Sequence, residues 1–388
     1  MYNFEFKNPT KVYFGPDQYN NLVAELKKYG NRVLLTYGKS SIKKIGLYDK
    51  VMKLLNEANM EVLELSGIDP NPRIETVREG SQLCKDKKVD VILAVGGGST
   101  IDCSKFIAAG AKAECDPWDF FNGKAVITDA LPLVTVLTLT ATGSEMNSGG
   151  VISNQELNQK LGSGGYPLFP KASFLDPENT FSVSKYQTAC GSVDIMSHVM
   201  EVYFNPNLTM DFIDNFMEDI LKTVIKYGPM AIEDGSNYQA RANLMWAGTW
   251  AINGFIRSSA TQAWSCHPIE HEVSAYYDIT HGLGLAIITP NWLSYILDES
   301  TETRIARFGR KVFGIEKNGS DREIAELAIA KLREFFFETL KLDSNLTSLD
   351  IDDSHFEAMA KNVVRNGDLR GYKTLKEADV VNILKNCL

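Results

Sequence analysis

Over its first 180 residues the chain alternates short apolar, β-branched runs with amphipathic stretches. KVYFG (11–15), RVLLTY (32–37), EVLELS (61–66), VDVILAV (89–95) and LPLVTVLTL (131–139) read as strands. Between them the spacing predicts helices near 17–29, over 40–58, near 74–87 and over 99–111. Short strands alternating with helices imply a parallel sheet with helices on both faces. Beyond Ser182 the period becomes helical, at 185–204, 210–229, 236–255, 257–277, 283–297, 301–313, 320–340, 355–364 and 375–386, and strand-like runs are scarce. The pattern therefore predicts an α/β domain with a parallel sheet over residues 1–182 and an all-helical domain over residues 183–388.

Composition narrows the function. At 388 residues and 44% hydrophobic content, two cores of ordinary size are available. A net charge of −9 leaves no basic stripe for nucleic acid or an anionic membrane. MYNFEFKNPT lacks the basic start and apolar run of a signal peptide. No apolar run reaches spanning length: LPLVTVLTLT is short and threonine-rich, and the run from Gly282 is broken by Thr289, Pro290 and Asn291. Cys84, Cys103, Cys115, Cys190, Cys266 and Cys387 form no CxxC pair, and as free thiols they suit a reducing cytoplasm.

Two stretches carry chemistry. The first is VDVILAVGGGSTID, where a buried strand runs through Gly96-Gly97-Gly98-Ser99 into a helix. Glycines let backbone approach a ligand, and the free N–H groups of a helix start attract phosphate. The spacing is not GxGxxG, and a tight strand-to-helix turn could use the same glycines for flexibility alone. Other strand ends add to it: Tyr37-Gly38-Lys39-Ser40, the turn Asp69-Pro70-Asn71-Pro72, and the run from Thr138 to Glu145. Together they outline a groove for a pyrophosphate-bearing cofactor, at the carboxyl ends of the strands.

The second stretch is Arg257–Ala286. It holds His267 and His271, four residues apart, and His281, which opens His-Gly-Leu-Gly. Upstream, His198 follows Asp194 by four residues; only His355 stands apart. Spacing of i and i+4 puts both members of a pair on one helical face. A lone histidine is more often a core residue bonded to a carbonyl, but an aspartate and several imidazoles so arranged suit an open divalent-metal site. Cys266, beside His267, reads as a buried bystander.

With NPTKVYFG, DPNP, GGGSTID, LTATGSE, the Asp194/His198 pair and the histidine region in this order, the chain resembles the iron-containing, or group III, alcohol dehydrogenases nearly end to end. It looks nearest their NADPH-dependent butanol dehydrogenase and aldehyde reductase branch. The resemblance implies a dehydroquinate-synthase-like architecture, with a Rossmann-like dinucleotide-binding domain over 1–182 and a metal-binding catalytic domain over 183–388, a homodimer, and NAD(P)H-linked interconversion of primary alcohols such as butanol with their aldehydes. It implies metal ligands at Asp194, His198, His267 and His281, with Fe(II) as the metal and Zn or Co as substitutes. His271 matches the proton-relay histidine, and Asp102 the acidic position facing the nicotinamide. Gly97, Gly98 and Ser99 match the pyrophosphate turn; Thr138, Leu139, Asn147, Lys160 and Ser182 match further cofactor contacts. Relatives that prefer NAD often carry an aspartate after Gly38. Here Lys39 stands there, with Ser40 and Lys43 behind it, so NADP is expected and NAD remains open. Phe255 and Trp264 are candidates for a substrate wall or for plain helix packing. Rival readings are a NAD-dependent glycerol or diol dehydrogenase, a cyclising lyase of the same architecture, and a non-catalytic binder. The lyase would need several basic residues near the metal, and 257–284 offers only Arg257.

Overall fold

The computed structural model describes residues 3–206, 210–258 and 264–388. Its strands are β1 (Lys11–Phe14), β2 (Arg32–Tyr37), β3 (Glu61–Leu65), β4 (Val91–Gly96), β5 (Leu133–Leu137), β6 (Gly149–Asn154), β7 (Gln159–Gly164) and β8 (Ala172–Leu175). Six of them form one sheet in the order β1-β8-β5-β4-β2-β3, with every neighbouring pair parallel. β6 and β7 form a separate antiparallel pair.

Period-two alternation explains why the sheet is covered twice. On β4, Ile92 and Ala94 join an apolar layer with Ile74 and Val77 of α4 (Ile74–Lys87) and Ile101, Phe106 and Ile107 of α5 (Gly98–Gly110). Val91, Leu93 and Val95 point the other way, to Leu22 and Leu26 of α1 (Leu22–Leu26) and Leu47, Val51 and Leu55 of α3 (Leu47–Glu57). Each such side chain, fully buried, contributes about 1.5–3 kcal/mol. α2 (Ser41–Lys44) is split from α3 at Ile45-Gly46, so the stretch expected as one helix over 40–58 is two.

The chain divides into two compact units: Lys7–Val183 with Ser236–Thr249, and Met1–Phe6, Ser184–Gly235 and Trp250–Leu388. Most of α8 (Tyr238–Ala251) therefore belongs with the α/β unit, where Thr249 donates to Glu145 (2.6 Å) and buried Met245 joins the α4/α5 layer. The sequence pattern does not predict β6, β7 or β8, the last of which lies inside the main sheet between β1 and β5. Their sequences, GGVISN, QKLGSG and ASFL, are glycine- and serine-rich or only four residues long.

In the second unit the helices are α6 (Lys185–Tyr203), α7 (Asp211–Glu233), α9 (Cys266–Tyr277), α10 (His281–Ile296), α11 (Glu302–Val312), α12 (Asp321–Arg333), α13 (Phe356–Val363) and α14 (Glu377–Lys385). α12 runs on into a π-helical turn, Glu334–Thr339. Part of the helix expected over 257–277, at 259–263, lies outside the described residues. α6 packs on α7 and α10, and α10 on α9. α6 and α10 are buried nearly all round, which is why their apolar pattern is continuous rather than one-sided. Ser184 caps α6 by accepting from Gln187 N (3.2 Å). Arg304 holds its far end, donating to Tyr203 O (3.0 Å) and to Asp214 Oδ1 of α7 (2.6 Å). Among the described residues no helix is long and apolar enough to cross a membrane.

Candidate active site

Three helices of the second unit bring one carboxylate and three imidazoles to a point. Asp194 and His198 share a face of α6, His267 lies in the first turn of α9, and His281 is the first residue of α10. The Nε2 atoms of His198, His281 and His267 lie 3.5, 3.6 and 3.9 Å from the same atom, Asp194 Oδ1. Donor atoms of Asp194, His267 and His281 all fall within 4.8 Å of one another. The rings of His198 and His267 stack at 4.9 Å between centroids, and His281 sits 5.3 Å from His267. Asp194 Oδ1 is buried with no hydrogen-bond partner. A buried carboxylate oxygen is costly unless something compensates it, and a divalent cation within this ring would do so. The donor set fits such an ion. Burial also pushes His198 down to about 3, so its imidazole is neutral at physiological pH, the form that ligates.

The glycines of His-Gly-Leu-Gly account for the close approach of the three helices. A Cβ on Gly282 would lie 2.1 Å from Cys190 O of α6, and one on Gly284 would lie 2.7 Å from Glu270 Cγ of α9. A side chain at Gly282 would press on the backbone of α6, and one at Gly284 would displace the Glu270 side chain, which meets His281.

Two carboxylates that the sequence did not single out hold the imidazoles from behind. Glu201, on α6, lies 3.2 Å from His267 Nδ1 and accepts from His267 N and Ser265 N, each at 2.8 Å. Glu270 lies against His281 Nδ1 and also accepts from the Ser274 hydroxyl. Each carboxylate favours the tautomer with hydrogen on Nδ1, which leaves Nε2 unprotonated, the form able to coordinate a metal. Burial pushes Glu201 up to about 7, opposed by the backbone N–H groups of Ser265 and His267. Glu201→Gln is expected to weaken metal binding about 10- to 100-fold while the fold persists, as chelator-competition titration would register. Unchanged affinity would make Glu201 a packing residue.

His271 stands one turn along α9, its ring 5.5 Å from that of His281 and 6.2 Å from that of His267. Trp264 meets His267 edge-on at 4.4 Å and carries the Arg257 guanidinium over its ring at 4.6 Å. Phe255 instead packs in an aromatic cluster with Phe6, Phe216 and Trp250, at 5.6, 5.1 and 5.7 Å. Cys266 is fully buried, and burial pushes its thiol well up, which keeps it protonated.

In the α/β unit, β4 ends at Gly96 and α5 starts at Gly98, with Gly97 as its N-cap. The first-turn N–H groups of α5 have no helical carbonyl to reach, which makes this turn a cradle for an anion. The glycines are also demanded by packing. A Cβ on Gly98 would lie 2.1 Å from Thr142 Oγ1, and one on Gly97 would lie 3.1 Å from Leu139 Cβ. Thr138 N donates to Gly96 O (3.0 Å), and the Ser99 hydroxyl donates to Pro70 O, beside Asn71. The cradle thus joins the exits of β3, β4 and β5. Gly98→Ala is expected to cost about 1–3 kcal/mol by forcing these segments apart. Thermal unfolding would report it, and Thr142→Gly in the same chain should recover most of the loss.

Other expected coenzyme residues take different places. Gly38 follows β2, Lys39 pairs with Asp69 (3.1 Å), and Ser40 is the N-cap residue of α2. Asp102 is buried on α5, its oxygens accepting from the Ser144 hydroxyl (2.5 Å) and Val151 N (2.9 Å). Asn147 accepts from Lys105 Nζ (2.8 Å) and Gly149 N (3.0 Å). Lys105, wholly buried and pushed down by burial to about 8, also donates to Ser144 Oγ (2.8 Å) and Gly149 O (2.7 Å). Asp102 and Asn147 therefore fasten the turn into β6 against α5. Lys160 is buried on β7, opposite Ser153. Ser182 is exposed in the exit turn and, among the described residues, makes no hydrogen bond to the cradle.

Comparison with known proteins gives one family for both halves. Residues 9–177 match iron-containing alcohol dehydrogenase, and residues 188–388 match the C-terminal part of the Fe-containing alcohol dehydrogenase family. The chain is 49% identical over 387 residues to NADH-dependent butanol dehydrogenase A of Clostridium acetobutylicum, covering 99% of each. It is 38% identical to the NADPH-dependent aldehyde reductase YqhD of Escherichia coli, covering 95% of this chain and 94% of that one. The crystal structure of NADH-dependent butanol dehydrogenase A from Thermotoga maritima superposes with a TM-score of 0.94 at 37% identity, over 99% of this chain and 98% of that chain.

Proposed function

The chain belongs to the iron-containing alcohol dehydrogenase family and is an NAD(P)-dependent alcohol dehydrogenase; from that premise we propose that it interconverts primary alcohols of butanol size with their aldehydes at a metal held by Asp194, His198, His267 and His281. The observation that carries this reading is Asp194 Oδ1, buried without a hydrogen-bond partner and ringed by three imidazole Nε2 atoms at 3.5, 3.6 and 3.9 Å. When bound, a divalent metal supplies a Lewis acid for the substrate oxygen and the nicotinamide supplies or takes up the hydride. One carboxylate and three neutral imidazoles cancel only one of the ion's two charges, so the donor set keeps the site electrophilic. Glu201 and Glu270 fix the ring orientation of His267 and His281. Trp264 stands edge-on to His267 and packs against that side of its ring. His271 is the side chain placed to hold or pass the proton of the alcohol.

Fe(II) is the proposed metal, with Zn or Co able to fill the same nitrogen and oxygen donor set. Gly97, Gly98 and Ser99 are proposed to hold the coenzyme pyrophosphate. Asp102 and Asn147 act as positioning residues through the turn they fasten. For the coenzyme itself, Lys39 favours NADP(H), but its ion pair with Asp69 reduces that pull. The relative sharing 49% identity is named NADH-dependent. Both forms are therefore proposed to serve, with little preference. All six cysteines are free, which suits a reducing cytoplasm, and a homodimer is the proposed assembly. The test is metal analysis of anaerobically purified protein, followed by loss of nicotinamide absorbance with butanal present. Robust aldehyde reduction by metal-free protein would overturn the reading.

A further inference from the structure

Two cations near the end of β2 could attract a coenzyme 2′-phosphate, and both are already engaged. Lys39 Nζ lies 3.1 Å from Asp69 Oδ1, in the turn after β3. Lys43 Nζ lies over the rings of Tyr48 (4.7 Å) and Tyr37 (5.2 Å). Both phenols donate to one carboxylate, Glu64, at 2.9 and 2.6 Å. The backbone fixes this juxtaposition: Gly67 N donates to Gly38 O (2.9 Å) and Ile68 N to Tyr37 O (3.3 Å). The sheet order β4-β2-β3 then sets the sequence of groups along the strand ends. A dinucleotide with its pyrophosphate at the β4 cradle would pass Lys39 at the end of β2 and Asp69 at the end of β3. Asp69 is also tied to the cradle, because its neighbour Pro70 accepts the Ser99 hydroxyl.

We propose that Asp69 is a specificity-determining residue for the coenzyme: by pairing with Lys39 it withholds that cation from a 2′-phosphate and offers the unphosphorylated ribose a carboxylate acceptor. This rests on the coenzyme reading given above. Lys39 is 72% exposed and Asp69 40% at their side chains, so the pair is solvated and its effect is moderate and salt-sensitive.

The test uses the whole protein and fragments that undergo no chemistry. Calorimetry would measure binding of 2′,5′-ADP and of ADP to the parent, Asp69→Asn, Lys39→Met and the double variant. Asp69→Asn is expected to tighten 2′,5′-ADP about 5-fold at low salt, with the gain shrinking at high salt, and to leave ADP equal or weaker. The kcat/KM ratio for NADPH over NADH should rise in step. In the Lys39→Met background the gain should fall to less than half. An equal gain without Lys39 would overturn the pairing. No gain in Asp69→Asn, with Lys39→Met still weakening 2′,5′-ADP, would overturn the role of Asp69 while leaving the coenzyme placement standing. If neither variant moves either fragment, the adenosine ribose binds elsewhere, and both fall together.

Discussion

Asp194→Ala and His267→Ala are expected to lose bound metal and nearly all turnover while remaining folded. Removing an outer partner of a ligand costs about 10- to 100-fold in metal affinity, so removing a ligand should cost more than about 100-fold. The two variants should nonetheless differ in the metal-free state. Asp194 Oδ1 is buried and makes no hydrogen bond, so its loss removes an uncompensated buried oxygen. Metal-free Asp194→Ala should therefore melt at or above the temperature of the metal-free parent. His267→Ala takes a partner from Glu201 and opens space beside Trp264, so it should melt lower. Added metal should raise the melting temperature of the parent only, because ligand binding to the native state is what stabilises it. Metal content by elemental analysis, turnover with butanal, and melting with and without metal check all three points. Full metal and rate in either variant would remove that residue from the donor set.

How legible this was follows from the physics of each element. β4 announced itself because a strand buried on both faces has no polar positions, whereas its exit through three glycines was ambiguous, since packing against Thr142 and Leu139 also demands them. Asp194, His198 and His267 stood out because histidines are scarce in this chain and the pairs 194/198 and 267/271 fall at helical spacing, and His281 because it opens His-Gly-Leu-Gly. Their convergence on one oxygen needed three helices to pack, which no local pattern encodes. Glu201 and Glu270 were silent for a different reason. A glutamate in a helix usually lies on the solvated face, and only burial reveals that these two back the imidazoles. One signal was available: Glu201 follows His198 by three and Asp194 by seven, the same helical face. The turn Asp69-Pro70-Asn71-Pro72 read as chain reversal, and nothing in it disclosed a partner thirty residues upstream. The hairpin of β6 and β7 was hidden by its glycines, which lower strand propensity while allowing Gly150 to lie against Asp102.

His271→Ala is expected to keep its metal and to slow turnover by about 10- to 1,000-fold, the range for losing a general acid or base. The structure makes this a sharp test, because two groupings of donor atoms share His281. One is Asp194, His267 and His281; the other is Glu270, His271 and His281. Glu270 is already committed to His281 Nδ1 and to the Ser274 hydroxyl, so it serves the first grouping from behind rather than forming the second. His271 then stands beside the donor ring as a partly exposed imidazole. Elemental analysis should find the parent's metal content in His271→Ala. The rate loss should appear in kcat more than in KM for the coenzyme, and added imidazole should restore part of it. Loss of metal from this variant would place the ion in the second grouping and displace Asp194 or His267 from the first. Unchanged turnover would leave His271 a packing residue, and the proton would have to leave by another route.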